Sequence, residues 1–260
     1  MAIAGLLSLA VIPPAGAEDI RIIAPYLGAI TDIQKGDSYD LKDTKLIEGL
    51  YGQWINPALY QWNVFVYHSA DLNYSTVLGG HFIFDFYFGP DDWGGKFLVG
   101  AGIELMRFDM DAGDQIAPLQ DFTQAMTVTV PYLRAGKYFI LGNDAVRLSI
   151  LPWVGVQPLW VNGSGSFVPP GPPMTVNVSL DDYELDGIAG INLKLTLFHF
   201  FEIEGKYQAT FNAGNYRSVV TVDSNLFFTR NWGITYRFKY AQETSTGTDI
   251  YNMAGVVFSF

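Results

Sequence analysis

The sequence predicts an all-β protein, a transmembrane antiparallel up-and-down β-barrel of about twelve strands. Three observations predict this fold. Apolar and polar residues alternate along many segments, which is the pattern of β-strands. The segments run to about twelve residues, whereas soluble strands average about five or six and a tilted membrane strand needs roughly nine to eleven. Charged residues make up 16 % of the chain and aromatic residues 15 %, a composition that suits a surface facing lipid.

The composition excludes several other classes of protein. The chain has no cysteine, so disulfides and thiolate metal sites are excluded. No apolar run of about 18 residues follows the N-terminal region, so no helical span is predicted, and a closed sheet is the remaining way to pair every backbone group in lipid. The net charge of −11 disfavours nucleic acid as a partner. We expect no metal and no cofactor.

The N-terminal residues have the pattern of an export signal. The apolar run Ala2–Ile12 is followed by two prolines and then by Ala15-Gly16-Ala17, a small-residue cleavage pattern. This predicts a signal peptide over 1–17 and a single barrel domain over 18–260. No Lys or Arg precedes the apolar run, which indicates a truncated n-region. The alternative is a buried first element, which the paired prolines disfavour.

Twelve strand-like segments can be placed along the chain, with ends accurate to a few residues. They are joined alternately by longer polar connections and by shorter turns, as in bacterial barrels with long external loops. Two external connections, near 72–75 and 213–215, are shorter than this pattern predicts. The segments are 20–31, 43–56, 62–71, 76–88, 96–108, 123–140, 146–161, 181–198, 201–212, 216–228, 230–241 and 249–260.

The alternation of apolar and polar residues is clearest in the fourth segment and in three later ones. In 76–88, Phe82, Phe84 and Phe86 share one face, while His81 and Asp85 lie on the other. The segments 181–198, 201–212 and 230–241 repeat the pattern with aliphatic and aromatic residues on one face and charged residues on the other. A soluble sandwich alternates in the same way. Segment length favours the membrane barrel.

A proline complicates the sixth segment. We expect Val128 and Val130 to face outward before Pro131, and Leu133 to face outward after it with Arg134 turned inward. Such a change of phase predicts a β-bulge at the proline. The prolines in 146–161 raise the same question for the next strand.

Aromatic residues lie near the ends of several segments. Amphipathic rings prefer the headgroup level of a bilayer, so this placement predicts two interfacial girdles. High β-propensity of aromatic residues explains their number but not their position. The girdle candidates are Trp54, Trp62, Trp93, Trp153, Trp160, Trp232, Tyr26 and Tyr240.

The last segment carries a resemblance to a known superfamily. Ile250, Ala254, Val256, Phe258 and Phe260 share one face, and the chain ends on an aromatic residue. This strand resembles the closing strand of Gram-negative bacterial outer-membrane β-barrel proteins, whose assembly machinery reads a terminal Phe. The resemblance covers 18–260 and identifies no subfamily. It implies location in the bacterial outer membrane, contact with outer-membrane lipids and lipopolysaccharide, and recognition of the C-terminal strand by the barrel-assembly machinery.

Charged residues on the strands should face the lumen, because a mid-plane Arg or Lys in lipid costs about 2–4 kcal/mol. Two interpretations stay open: the cations form a ladder that guides anions through a pore, or charges of both signs pair and fill a closed lumen. The lumen-lining candidates are Asp85, Glu104, Arg134, Arg147, Glu184, Lys194, Glu202, Glu204, Lys206, Arg217, Arg237 and Lys239.

These features favour a passive porin-like channel for small polar or charged solutes. One alternative is a lipid-hydrolysing barrel enzyme, which would need a cross-strand arrangement of His81 with Ser69 or Tyr67, since His81 and Asp85 lie about 13 Å apart along one strand face. Another is a closed structural barrel at the cell surface. No catalytic residue is assigned, and the sequence does not determine the oligomeric state.

Overall fold

The computed structural model describes residues 20–36, 39–56, 59–69, 75–89, 95–113, 120–143, 145–171, 174–198, 200–212, 215–243 and 247–260. In these ranges the regular elements are twelve antiparallel strands in one closed barrel, as predicted. The predicted signal peptide lies outside the described residues. The strands are β1 Ile20–Gly36, β2 Tyr39–Asn56, β3 Tyr60–Ser69, β4 Ser75–Phe88, β5 Lys96–Gly113, β6 Gln120–Gly142, β7 Val146–Val168, β8 Val176–Leu197, β9 Phe201–Asn212, β10 Asn215–Phe227, β11 Trp232–Glu243 and β12 Gly247–Ser259.

Each strand pairs with its neighbours in sequence, and β1 pairs with β12 to close the sheet. The closing ladder runs from Ile22 opposite Ser259 to Gln34 opposite Gly247. Closure removes the open strand edge that β1 and β12 would otherwise present in lipid. Within the described residues there is no helix, and so none that could cross a membrane. We call the end of the barrel that holds Ile20 and Ser259 the near rim and the opposite end the far rim.

The outer surface of the barrel is apolar. Large outward side chains are strongly exposed, among them Leu27 at 71 %, Leu133 at 61 % and Val154 at 63 %. The alternate residues of the same strands point inward and are buried, for example Tyr26 and Arg134. This is the arrangement of a barrel that faces lipid outside and encloses polar groups inside.

β6, β7 and β8 are the longest strands, and the end of β5 pairs with β6 at the far rim. β6 and β7 have 23 residues each. Above Trp160 and Tyr183, whose rings lie 5.4 Å apart, the outward face changes to small polar residues such as Ser164 and Ser166. We call this part of β5 to β8 the sheet extension.

Much of what the sequence predicted as loops, 109–122 and 162–180, is paired sheet in this extension. The Oγ atoms of Thr123 and Ser166 form a hydrogen bond of 2.8 Å across β6 and β7, the kind of cross-strand pair that supports such a ladder. On the outward face, the guanidinium of Arg107 donates hydrogen bonds of 2.8 and 3.0 Å to Asp109 and lowers the pKa of that carboxyl.

The predicted bulge at Pro131 is wrong. β5 and β6 keep one register from Lys96 opposite Tyr138 to Asp111 opposite Thr123, with Pro131 opposite Ile103. The proline points outward, and its missing N–H leaves only a local gap in the ladder. Because the faces alternate without a break, Val128 and Val130 share the lumen face with Arg134, which corrects their predicted outward orientation. β7 and β8 likewise stay in register through both prolines of β7.

Candidate functional site

The charged residues predicted to face inward lie on the lumen side, where eleven of the twelve candidates form ion pairs. Arg147 is exposed at the near rim. These cations are therefore held in ion pairs and do not form the ladder of free positive charges that one interpretation predicted. Their role in conduction stays a prediction. The pairs are Arg134–Asp85, Lys239–Glu104, Arg217–Glu184, Lys194–Glu202, Lys206–Glu204 and Arg237–Asp223, and Lys206 also contacts Asp223.

The most enclosed pair joins Asp85 of β4 to Arg134 of β6. Arg134 Nε and a terminal guanidinium nitrogen donate to the two carboxylate oxygens at 3.0 and 2.6 Å. The Asp85 side chain is 1 % exposed and the Arg134 side chain is 8 % exposed. The pair passes over Gly100 of β5, where an added Cβ would collide with the Asp85 carboxylate. Two parallel charge-assisted hydrogen bonds hold the guanidinium in one orientation.

A second ionic cluster lies around Asp223 of β10. Its carboxylate accepts hydrogen bonds from Arg237 Nε and, at 3.2 Å, from Lys206 Nζ. The Arg237 guanidinium also lies 4.6 Å from the ring centroid of Tyr51 and 4.8 Å from that of Phe65. Aromatic faces stabilise a guanidinium that is removed from water. The Asp223 cluster thus joins β9, β10 and β11 to β2 and β3 across the lumen.

Two further contacts join strands that are not neighbours, one across the lumen and one over β8. Lys239 Nζ of β11 donates to Glu104 Oε1 of β5 at 3.2 Å. Gln208 Nε2 of β9 donates to Gln157 Oε1 of β7, also at 3.2 Å. Between these contacts lies a lumen cavity of about 200 Å³. The lumen is therefore narrow and divided by side chains.

An aromatic and apolar wall also lines the lumen, and the sequence analysis missed it. Tyr26 and Trp153, predicted as girdle residues, are buried on the lumen side, so that prediction is wrong for both. Trp160 and Trp232 do face outward, as predicted, and Trp93 lies outside the described residues. The wall could not be found by alternation because these strands carry apolar residues on both faces. Its main buried members are Ile22, Ala24, Tyr26, Ile30, Ile47, Tyr51, Phe65, Tyr67, Val77, Tyr251, Met253 and Val257.

Several lumen aromatic rings lie directly against glycines of the next strand. An added Cβ at Gly190 would meet the Trp153 ring, and one at Gly79 would meet the Tyr67 ring. We expect Gly190→Ala to lower the free energy of unfolding by about 1–3 kcal/mol because it overpacks this contact. Gly205→Ala is the matched control, since a Cβ there meets nothing within 4 Å. Urea unfolding from lipid vesicles measures both, and equal stabilities would contradict the packing described here.

His81 and Ser69 do not form the arrangement that hydrolysis would need, and the alternative of His81 with Tyr67 stays a prediction. His81 Nε2 contacts Asn63 Oδ1 at 3.2 Å in the lumen. The Ser69 hydroxyl instead accepts the backbone N–H of Val77 at 2.6 Å, and His81 is paired across the strands with Phe65. His199 lies outside the described residues. Within the described part of the chain, no group of three or more His, Cys, Asp or Glu side chains could hold a metal ion.

Comparison with solved structures identifies the fold. The translocator domain of the autotransporter NalP from Neisseria meningitidis superposes with a TM-score of 0.55 at 14 % identity, covering 94 % of this chain and 90 % of that one. The β-domain of the Bordetella autotransporter BrkA gives a TM-score of 0.53 at 14 % identity, covering 92 % and 99 %. No family model and no curated protein matches the sequence.

The closed twelve-strand barrel and its apolar exterior define the class of the protein as a transmembrane β-barrel, and the two solved structures share this fold. Location in the bacterial outer membrane stays a prediction. No subfamily is assigned.

Proposed function

We propose that the barrel is a passive channel through which small polar solutes cross the outer membrane. The observation that carries the proposal is the lumen cavity of about 200 Å³, lined by ion pairs, amides and phenol groups. Paired charges and hydroxyl groups hold water in a space that the barrel wall separates from lipid. A lumen meant only as a core could be filled by apolar residues at lower desolvation cost.

The cross-lumen contacts set the size of solute that the channel accepts. Twelve strands enclose more space than the eight whose side chains just fill a barrel, and less than the sixteen to eighteen of wide porins, as a general rule. The Lys239–Glu104 and Gln208–Gln157 contacts narrow this space further. We therefore expect a small conductance.

A closed structural barrel is the second candidate, and one observation favours it. The aromatic and apolar wall fills part of the lumen, and Val257 and Met253 within it are 0 % and 2 % exposed. Such a barrel would be a surface scaffold without transport. Its conductance would be zero at any salt concentration.

Conductance in planar lipid bilayers separates the two candidates. We expect small, voltage-independent steps from the wild-type protein. The double variant Gln157→Ala with Gln208→Ala should give larger steps, because it shortens two neutral side chains that line the cavity and leaves the charges unchanged. Ser164→Ala, on the outward face of the sheet extension, is the control and should match the wild type. Absence of conductance in the wild type and in the widened variant, together with no swelling of proteoliposomes in a neutral sugar, would contradict the channel and support the closed barrel.

A further inference from the structure

We propose that the lumen selects uncharged polar solutes of about monosaccharide size over ions of either sign. This inference rests on the channel function proposed above and names its substrate class. It follows from three features of the cavity: the charges that line it lie in ion pairs, the amides that line it are neutral, and its volume is small.

The charges that surround the cavity are balanced. Each cation has a carboxylate partner at ion-pair distance, so no described pair leaves a net charge facing the solute path. The cavity is lined by the cations Arg134, Lys194, Lys206, Arg237 and Lys239 and by the carboxylates Asp85, Glu104, Glu204 and Asp223, and Glu202, the partner of Lys194, lines the neighbouring smaller cavity.

Pairing has an energetic consequence for solutes that enter. A small ion must shed water to pass through a narrow lumen, and it needs an uncompensated opposite charge to offset that loss. The fields of a cation and a carboxylate about 3 Å apart largely cancel beyond their own separation. A bare ion therefore gains little from this lumen, whereas an uncharged solute has no charge to desolvate.

Neutral polar groups in the same cavity suit a polyhydroxylated solute. The amides of Asn63, Asn192 and Gln208 line it. Asn192 accepts one hydrogen bond from Trp153 Nε1 at 3.1 Å, which leaves the two N–H donors of its amide group for other partners.

The size of the cavity limits the solute. A cavity of about 200 Å³ has room for several water molecules or for one small solute. A solute with about a dozen non-hydrogen atoms displaces such a volume, which is the size of a pentose or a hexose. Larger oligosaccharides would need the cross-lumen contacts to separate.

Reversal potentials in a KCl gradient test the charge balance. We expect the wild-type channel to show a K⁺ to Cl⁻ permeability ratio close to unity. Glu104→Gln leaves Lys239 without its partner and should shift the ratio several-fold toward Cl⁻. Lys239→Met leaves Glu104 unpaired and should shift it several-fold toward K⁺. Both side chains are partly exposed in the lumen, at 41 % and 25 %, so both variants should fold, which heat-modifiable gel mobility checks.

Swelling of proteoliposomes tests the solute class directly. Glucose, glucosamine and gluconate have nearly the same size and are neutral, cationic and anionic, respectively. We expect fast swelling with glucose and several-fold slower swelling with both charged solutes. A strongly ion-selective wild type, or equal rates for all three solutes, would overturn the inference while leaving the channel intact. Absence of both conductance and swelling would overturn the channel itself and the inference with it.

Discussion

Replacing Val154 by arginine should lower the free energy of unfolding in lipid by about 2–4 kcal/mol. Val154 points outward from β7 and is 63 % exposed on the barrel surface. It lies about midway between Val146, near the near rim, and Trp160, above which the outward surface becomes polar. A charged side chain at this level must either stay in hydrocarbon or distort the bilayer to reach water.

The matched control for this substitution lies on the same strand and the same face. Ser164 is exposed in the sheet extension above Trp160, and Ser164→Arg should change stability by less than about 0.5 kcal/mol, as surface substitutions usually do. Urea unfolding from phospholipid vesicles measures both variants. Equal losses at the two positions would show that the lipid boundary does not lie between them.

Removing one partner of the Asp85–Arg134 pair should have an effect of similar or greater size. We expect Asp85→Leu to destabilise the barrel by about 3–5 kcal/mol, because it leaves a guanidinium enclosed without its carboxylate. Both side chains are almost fully buried, and their two hydrogen bonds are lost together.

The double variant Asp85→Leu with Arg134→Met separates the cost of an unpaired charge from the contribution of the pair. Burying an ion pair carries its own desolvation cost, so an apolar replacement of both partners should recover most of the lost stability. Unfolding of the two single variants and the double variant in vesicles completes the cycle. A double variant as unstable as Asp85→Leu would mean that packing, and not the unpaired charge, causes the loss.

The lipid-facing half of the fold could be predicted from the sequence because one physical rule governs it. Outward positions such as Phe82 and Leu193 must be apolar, and inward charges such as Asp85 and Lys194 must avoid lipid, so a period of two appears wherever the faces differ. The closing strand followed from the same rule. Strand number, order and the inward position of the charged candidates were all accessible in this way.

The lumen was harder to predict because its chemistry is mixed. β1 places Ile22, Ala24 and Tyr26 inward and Ile23, Pro25 and Leu27 outward, so both faces are apolar and the period vanishes. Which charge meets which partner depends on the register of strands far apart in sequence, as with Glu104 and Lys239. One amino-acid sequence alone does not show which distant residues are in contact.

The sheet extension was missed for a related reason. Small polar residues such as Ser164 and Ser166 are typical of loops. Here they lie in strand β7, because β6 and β8 pair with its backbone on both sides. Pro131 caused a different error, because it predicted a bulge where the strand is regular. A proline can stand in a strand without a bulge where its ring points away from the lumen and the neighbouring ladder continues.

The closing ladder between β1 and β12 has a consequence for how the barrel folds. Every other pairing joins strands consecutive in the chain, whereas this one joins Ile22 to Ser259. The hairpins can therefore assemble locally, but the seam forms only when the two terminal strands meet, and such distant contacts are the slow step in β-rich topologies. Until that moment the growing sheet has two unpaired edges, which are open to pairing with other chains.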